Sequence, residues 1–118
     1  MTVKECYEAM GANYEEVAGR LRTEERIKKF VLKVLNDKSY DLLMTSMESR
    51  NIEEAFRAAH TIKGVCQNLS LTRLYESASD LSEILRDRHE YGEDIEPALE
   101  KVKEEYAQMT ECIRQLEG

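Results

Sequence analysis

Residues 55–69 read AFRAAHTIKGVCQNL. Wound as a helix at about 100° per residue, this stretch and the residues just before it sort into two faces. Ile52, Ala55, Phe56, Ala59, Ile62, Cys66 and Leu69 fall on one broad apolar side, with Val65 at one border. His60 falls at the other border, next to Phe56. Residues three and four apart are surface neighbours on a helix, so Lys63, Gly64 and Gln67 share the rim with His60. An imidazole there is held by packing yet meets solvent. A cation one turn away can bind an anion carried by that ring. Glycine in mid-helix costs about 1 kcal/mol against alanine, and a chain that accepts the cost needs room at that point.

The flanking sequence supplies more helices of the same kind. Upstream, Thr23 followed by Glu24 and Glu25 opens a long helix, since acidic side chains favour a first turn. Its apolar row is Ile27, Phe30, Val31, Val34 and Leu35. Asn36-Asp37-Lys38-Ser39 breaks it, and Ser39 caps a continuation through Ser49 with Tyr40, Leu42, Leu43 and Met47 inward. Asn51 with Glu54 caps the His60 helix. Downstream, Ser70 and Thr72 provide a turn and cap. Leu71, Leu74, Tyr75, Ala78, Leu81 and Leu85 then form a row in a helix running to about Glu90. Asp94 caps the last helix, where Pro97 in the first turn is harmless. Ile95, Leu99, Val102, Tyr106, Met109, Ile113 and Leu116 alternate by threes and fours, a heptad seam. At the N-terminus, Thr2 and Glu5 form a capping box, with Gly11 as C-cap. Asn13 and Glu16 open a second short turn that ends near Gly19.

These signals predict an all-α fold: an antiparallel four-helix bundle with an accessory N-terminal helix across one end. Residues 1–22 form the accessory part and 23–117 the bundle, together one domain over 1–118. The bundle helices are 24–49 (broken near 37–39), 52–69, 71–90 and 95–117. Connections this short make successive helices antiparallel.

The AHTIKG of residues 59–64 resembles the A-H-x-L-K-G signature of histidine phosphotransfer (HPt) domains. The following N-L-S-L-x-x-L and the apolar helix after it also fit, over about residues 24–90. The resemblance implies a helical bundle that passes a phosphoryl group to or from receiver aspartates, or takes it from a histidine kinase. By that resemblance His60 is the phosphoacceptor and Lys63 steadies the phosphoryl oxygens, with Gln67 beside it. Gly64 lets the receiver approach, with Phe56 on the same docking rim. The chain would be a phosphotransfer intermediate, not an enzyme with its own kinase or nucleotide site. No cofactor is expected on it, because the Mg²⁺ of the transfer belongs to the receiver. Two positions depart from the family pattern. Ser70 stands where an L-G-x motif has glycine, and Ser82 where many members place a Gln or Glu that orients the histidine. Gln67 and Glu83 are the nearest polar alternatives.

Composition narrows the other options. The chain has 118 residues, 42% apolar and 35% charged, with one Pro and no Trp, which suits one helical domain with a real core. A net charge of −7 without a basic stripe argues against nucleic acid. No stretch reaches the length of a membrane span, and MTVKECYEAMG lacks a signal-peptide apolar run. A cytoplasmic monomer, standing alone as a shuttle, is the expectation. Cys6, Cys66 and Cys112 are far apart and read as buried, reduced thiols. The residues three before His60 and His89 are Arg57 and Arg86, so the Glu-x-x-His pairs of carboxylate-bridged metal bundles are not present. His89 with Glu90, Glu93 and Asp94 is a weak metal set, and a solvated helix end is the better reading. No nucleophile–His–acid order appears. The alternative function comes from another class: a non-catalytic helical adaptor that binds a protein partner through an apolar bundle end.

Overall fold

The computed structural model describes residues 1–116. The helices among them are α1 (Val3–Met10), α2 (Tyr14–Leu21), α3 (Glu24–Lys33), α4 (Ser39–Glu48), α5 (Ile52–Leu69), α6 (Thr72–Leu85) and α7 (Ile95–Arg114). A 3-10 turn at Val34–Asn36 joins α3 to α4, where the sequence breaks. In space α5 lies between α4 and α6, and α6 packs on α7. With α3 and α4 as one interrupted member, this is the expected antiparallel bundle.

Several helix starts follow directly from side-chain chemistry. Glu5 N–H donates to Thr2 Oγ1 at 3.1 Å while Thr2 N–H donates to Glu5 Oε1 at 2.8 Å, the complete capping box. Gly11 closes α1 at φ 66°, the left-handed conformation that glycine adopts without penalty. Asn13, Thr23 and Asn51 each accept the N–H three residues on, which satisfies one of the orphan donors of a helix start.

Three other caps differ from expectation. Ser39 is the first helical residue and not the cap; Asp37 Oδ1 accepts its N–H at 2.8 Å. Thr72 is likewise inside α6, and its hydroxyl donates to Ser70 O at 3.3 Å. Asp94 makes no side-chain cap, because its carboxylate accepts from Arg88 Nη1 at 2.8 Å. That hydrogen bond also holds the Asp94 carboxyl below its ordinary range.

Helix boundaries shift for related reasons. α2 continues past Gly19 to Leu21. α6 stops at Leu85, not Glu90: Arg86 is extended and Asp87 left-handed at φ 55°. The Arg88–Asp94 pair then ties up the 86–94 loop, and Arg50 covers the Tyr91 ring at 3.5 Å. α7 ends at Arg114, with Leu116 still buried; position 117, the expected end, lies outside the described residues.

The core takes Ile27, Val31, Leu43, Ala55, Ala59, Ile62, Leu81, Leu85, Ile95, Val102 and Ile113. Ala58, at the edge of the expected face of α5, is buried too. Phe30 and Leu42, expected inward, are 38% and 44% exposed. Each adjoins a buried residue, Val31 and Leu43, and lies a further 100° round its helix, beyond the wedge that the neighbouring helices cover. Tyr40 and Tyr106 are half-buried and stack on each other at 3.8 Å.

The N-terminal helices grip the α5–α6 turn. Tyr7 is fully buried and donates to Leu69 O at 2.7 Å. Asn13 N–H donates to Ser70 O at 3.0 Å. Ser70 closes α5 in the left-handed conformation at φ 57°, the place where the family pattern has glycine. Its hydroxyl donates to Glu16 Oε1 at 2.7 Å and accepts from Arg20. Contacts from α2 thus hold a serine where glycine would sit without strain.

Burial gives the fold an alkaline limit. It pushes the Cys66 thiol up to about 12 and Cys6 up to about 11, from an ordinary 9.0, and raises the Tyr7 hydroxyl as well. Folding therefore favours the protonated forms. That contribution is intact below pH 9 and is lost as pH climbs from there through the raised values. Thermal melting is expected to hold steady up to about pH 8.5 and fall steeply above it. A midpoint unchanged at about pH 10.5 would show that these groups are not buried as described.

Candidate functional site

Helix α5 runs for 18 residues and buries Ile52, Ala55, Ala58, Ala59, Ile62, Cys66 and Leu69 against α4 and α6. The opposite rim carries the residues singled out in the sequence. His60 and Gln67 are exposed, and Phe56, Lys63 and Gly64 are half-buried. All five stand on one side of one helix, as the 3.6-residue period requires.

The imidazole of His60 lies beside the phenyl ring of Phe56, with centroids 6.0 Å apart and planes 23° from parallel. Its polar neighbours on α5 are engaged elsewhere. Arg57 pairs with Glu54 and Glu53 at 3.0 and 3.2 Å, and the Thr61 hydroxyl donates to Arg57 O. Among the described residues, no side chain hydrogen-bonds to a ring nitrogen of His60; the ring packs beside Phe56 and the residue is exposed. Lys63 forms no ion pair among the described residues. A Cβ added at Gly64 would meet nothing within 4 Å, so the space above the rim there is open.

Ser82, which stands where many members of the family place an orienting Gln or Glu, makes no contact of that kind. Ser82 is 0% exposed, and its hydroxyl is buried without a hydrogen-bond partner. Gln67 is exposed, and Glu83 accepts from Arg86 at 2.9 and 3.2 Å; neither bonds to His60.

Arg86, which the sequence pattern does not place near the rim, adjoins it in the fold. Its guanidinium carbon lies 5.3 Å from the centroid of the Phe56 ring, the same ring that adjoins His60. The signal was available in the antiparallel topology. Phe56 and Arg86 stand about equally far from the Ser70–Leu71 turn, so antiparallel pairing brings them together. His89 is exposed in the 86–94 loop, and no group of three metal-ligating side chains occurs among the described residues. No described helix is long and apolar enough to cross a membrane.

Fold and rim together define an all-helical bundle that displays an imidazole on its surface, with a lysine one turn away. The model of the Hpt domain family matches residues 15–117, nearly the whole chain, and the chain belongs to that family. No curated protein and no solved structure matches it significantly. Hpt domains are carriers in two-component phosphorelays, without kinase activity of their own, and they interact with receiver domains and histidine kinases. A histidine phosphotransfer role, in that general sense, follows from the membership.

Proposed function

We propose that His60 is the phosphoacceptor of a relay between two-component proteins, exchanging a phosphoryl group with the aspartate of a receiver domain. The observation that carries this reading is the pairing, on one rim, of an exposed imidazole with the open space at Gly64. A receiver must bring its aspartyl phosphate to the ring, and the missing side chain at Gly64 leaves room for it to come that close. The lone pair of an unprotonated ring nitrogen attacks phosphorus. An N–P bond forms as the P–O bond to the aspartate breaks, and the carboxylate leaves with the electron pair. The transition state is loose and nearly in line, so the carrier's task is positioning and charge neutralisation. Lys63 supplies a cation to the phosphoryl oxygens, Gln67 lies within the same rim, and Gly64 with Phe56 forms the docking surface. On this reading the chain works in the cytoplasm as a monomer.

The test is incubation with radiolabelled phospho-receivers. Label should pass to this chain within minutes for a cognate receiver. No transfer from any receiver tried, together with partner binding that is indifferent to His60→Gln, would support the adaptor alternative instead. Lys63→Ala is expected to slow transfer about tenfold, the worth of a charge-assisted hydrogen bond at the weak end of its range, while the melting temperature stays within a degree or two. Stopped-flow transfer rates check this, and an unchanged rate would remove Lys63 from the site.

A further inference from the structure

We propose that Phe56 is a positioning residue, whose phenyl ring selects one orientation of the His60 imidazole in place of a hydrogen bond to that ring. This rests on the reading of His60 as phosphoacceptor, and it gives Phe56 a task beyond docking.

The need for such a device follows from helix geometry. Side chains of a helix lean toward its N-terminus, over the residues three and four positions earlier. For His60 these are Arg57 and Phe56. A χ1 near +60° is rare in a helix, which leaves two settings of χ1, each with two broad settings of χ2. An unrestrained imidazole on α5 therefore has about four orientations. A docked receiver holds its phosphorus atom in one place, and a near-attack geometry suits one orientation of the ring.

The polar groups that could select that orientation are committed elsewhere. Ser82 is buried, with its hydroxyl unpartnered. Glu83 accepts from Arg86, and Arg57 is tied to Glu53 and Glu54.

What meets the imidazole is Phe56. The two ring centroids lie 6.0 Å apart with planes 23° from parallel, within the range of offset-stacked pairs. The phenyl ring is itself restrained. It is half-buried against the core, and the Arg86 guanidinium carbon lies 5.3 Å from its centroid. The imidazole thus rests beside a flat surface that has little freedom to turn. A flat neighbour constrains orientation, whereas a branched aliphatic one only fills space.

The test is Phe56→Leu, which keeps an apolar side chain on the rim and removes the flat ring. Transfer from a phospho-receiver at saturation is expected to fall about fourfold, the loss when one of about four orientations is no longer selected, while KM stays the same. Phe56→Tyr, which restores the ring, should restore the rate. In proton NMR of the unaltered protein, the His60 ring should show NOEs to the Phe56 ring and a ring-current shift that Phe56→Leu removes. A raised KM with an unchanged maximal rate would make Phe56 a docking contact alone and overturn the proposal. So would the absence of those NOEs. If Phe56→Leu does not fold, the NOEs and the ring-current shift of the unaltered protein decide. Phosphoramidate, which phosphorylates histidine without any receiver, separates this proposal from the relay reading. Failure of the unaltered protein to load His60 from it removes the proposal along with the site. Loading by phosphoramidate without transfer from receivers would defeat the relay reading alone, and the NMR signals would still judge Phe56.

Discussion

His60→Gln is expected to abolish phosphate uptake from phospho-receivers, with label below detection, and to leave the fold intact. The two halves have separate physical grounds. Glutamine has no lone pair of comparable nucleophilicity, so no N–P bond can form, and removal of the attacking atom has no partial phenotype. The structural half follows from exposure. His60 is solvent-facing and touches Phe56 only at a ring distance of 6.0 Å, and surface substitutions of this kind usually stay within about 0.5 kcal/mol. Circular dichroism melts beside the transfer assay check both. A variant that unfolds would mean that the imidazole is part of the core. A variant that still takes up label would move the acceptor to another residue.

Gly64 should separate stability from function even more sharply. A Cβ there meets nothing within 4 Å, and the position lies inside α5, where glycine is a poor helix former. Gly64→Ala should therefore stabilise the fold by up to about 1 kcal/mol. Gly64→Gln should also fold, with a melting temperature equal to or above that of the parent. The same side chain would stand in the space through which a receiver approaches His60. Transfer is expected to drop about a hundredfold, as a displacement of the reacting groups by an ångström or so can cost that much. Melting and transfer must be measured on the same protein. A destabilised Gly64→Gln would mean that the open space is not real. A stable variant with the parental rate would mean that the receiver docks elsewhere.

The sequence made the fold readable where one local rule acts alone. The apolar rows of α5, α6 and α7 give their inward faces, and Thr2, Asn13, Thr23 and Asn51 cap as their side chains suggest. Reading failed where a second group competes for the same atoms. Asp94 has the chemistry of a cap but is engaged by Arg88, six residues earlier across a loop. Thr72 has a suitable hydroxyl, yet it donates to the Ser70 carbonyl, and at Ser39 the backbone N–H donates to Asp37, so that Ser39 stands inside the helix. Beyond Leu85 the charged residues 86–90 carry no periodicity that distinguishes helix from loop, so the sequence alone extends the helix to about Glu90 where the structure ends it at Leu85. The rim itself was legible, since His60, Lys63, Gly64 and Gln67 need only one helix period to come together. What faces the rim from α6 depends on two helices and a turn, and no local pattern carries it.

On the proposed reading, this chain carries its phosphoryl group on a nitrogen of His60. Loading the unaltered protein from a phospho-receiver, splitting the sample between mild acid and mild base, and mapping the remaining phosphate by mass spectrometry tests it most directly. A P–N bond predicts a single phosphate on the peptide containing His60, lost in acid and retained in base. Phosphate that survives acid, or that maps to a peptide without His60, would contradict the account.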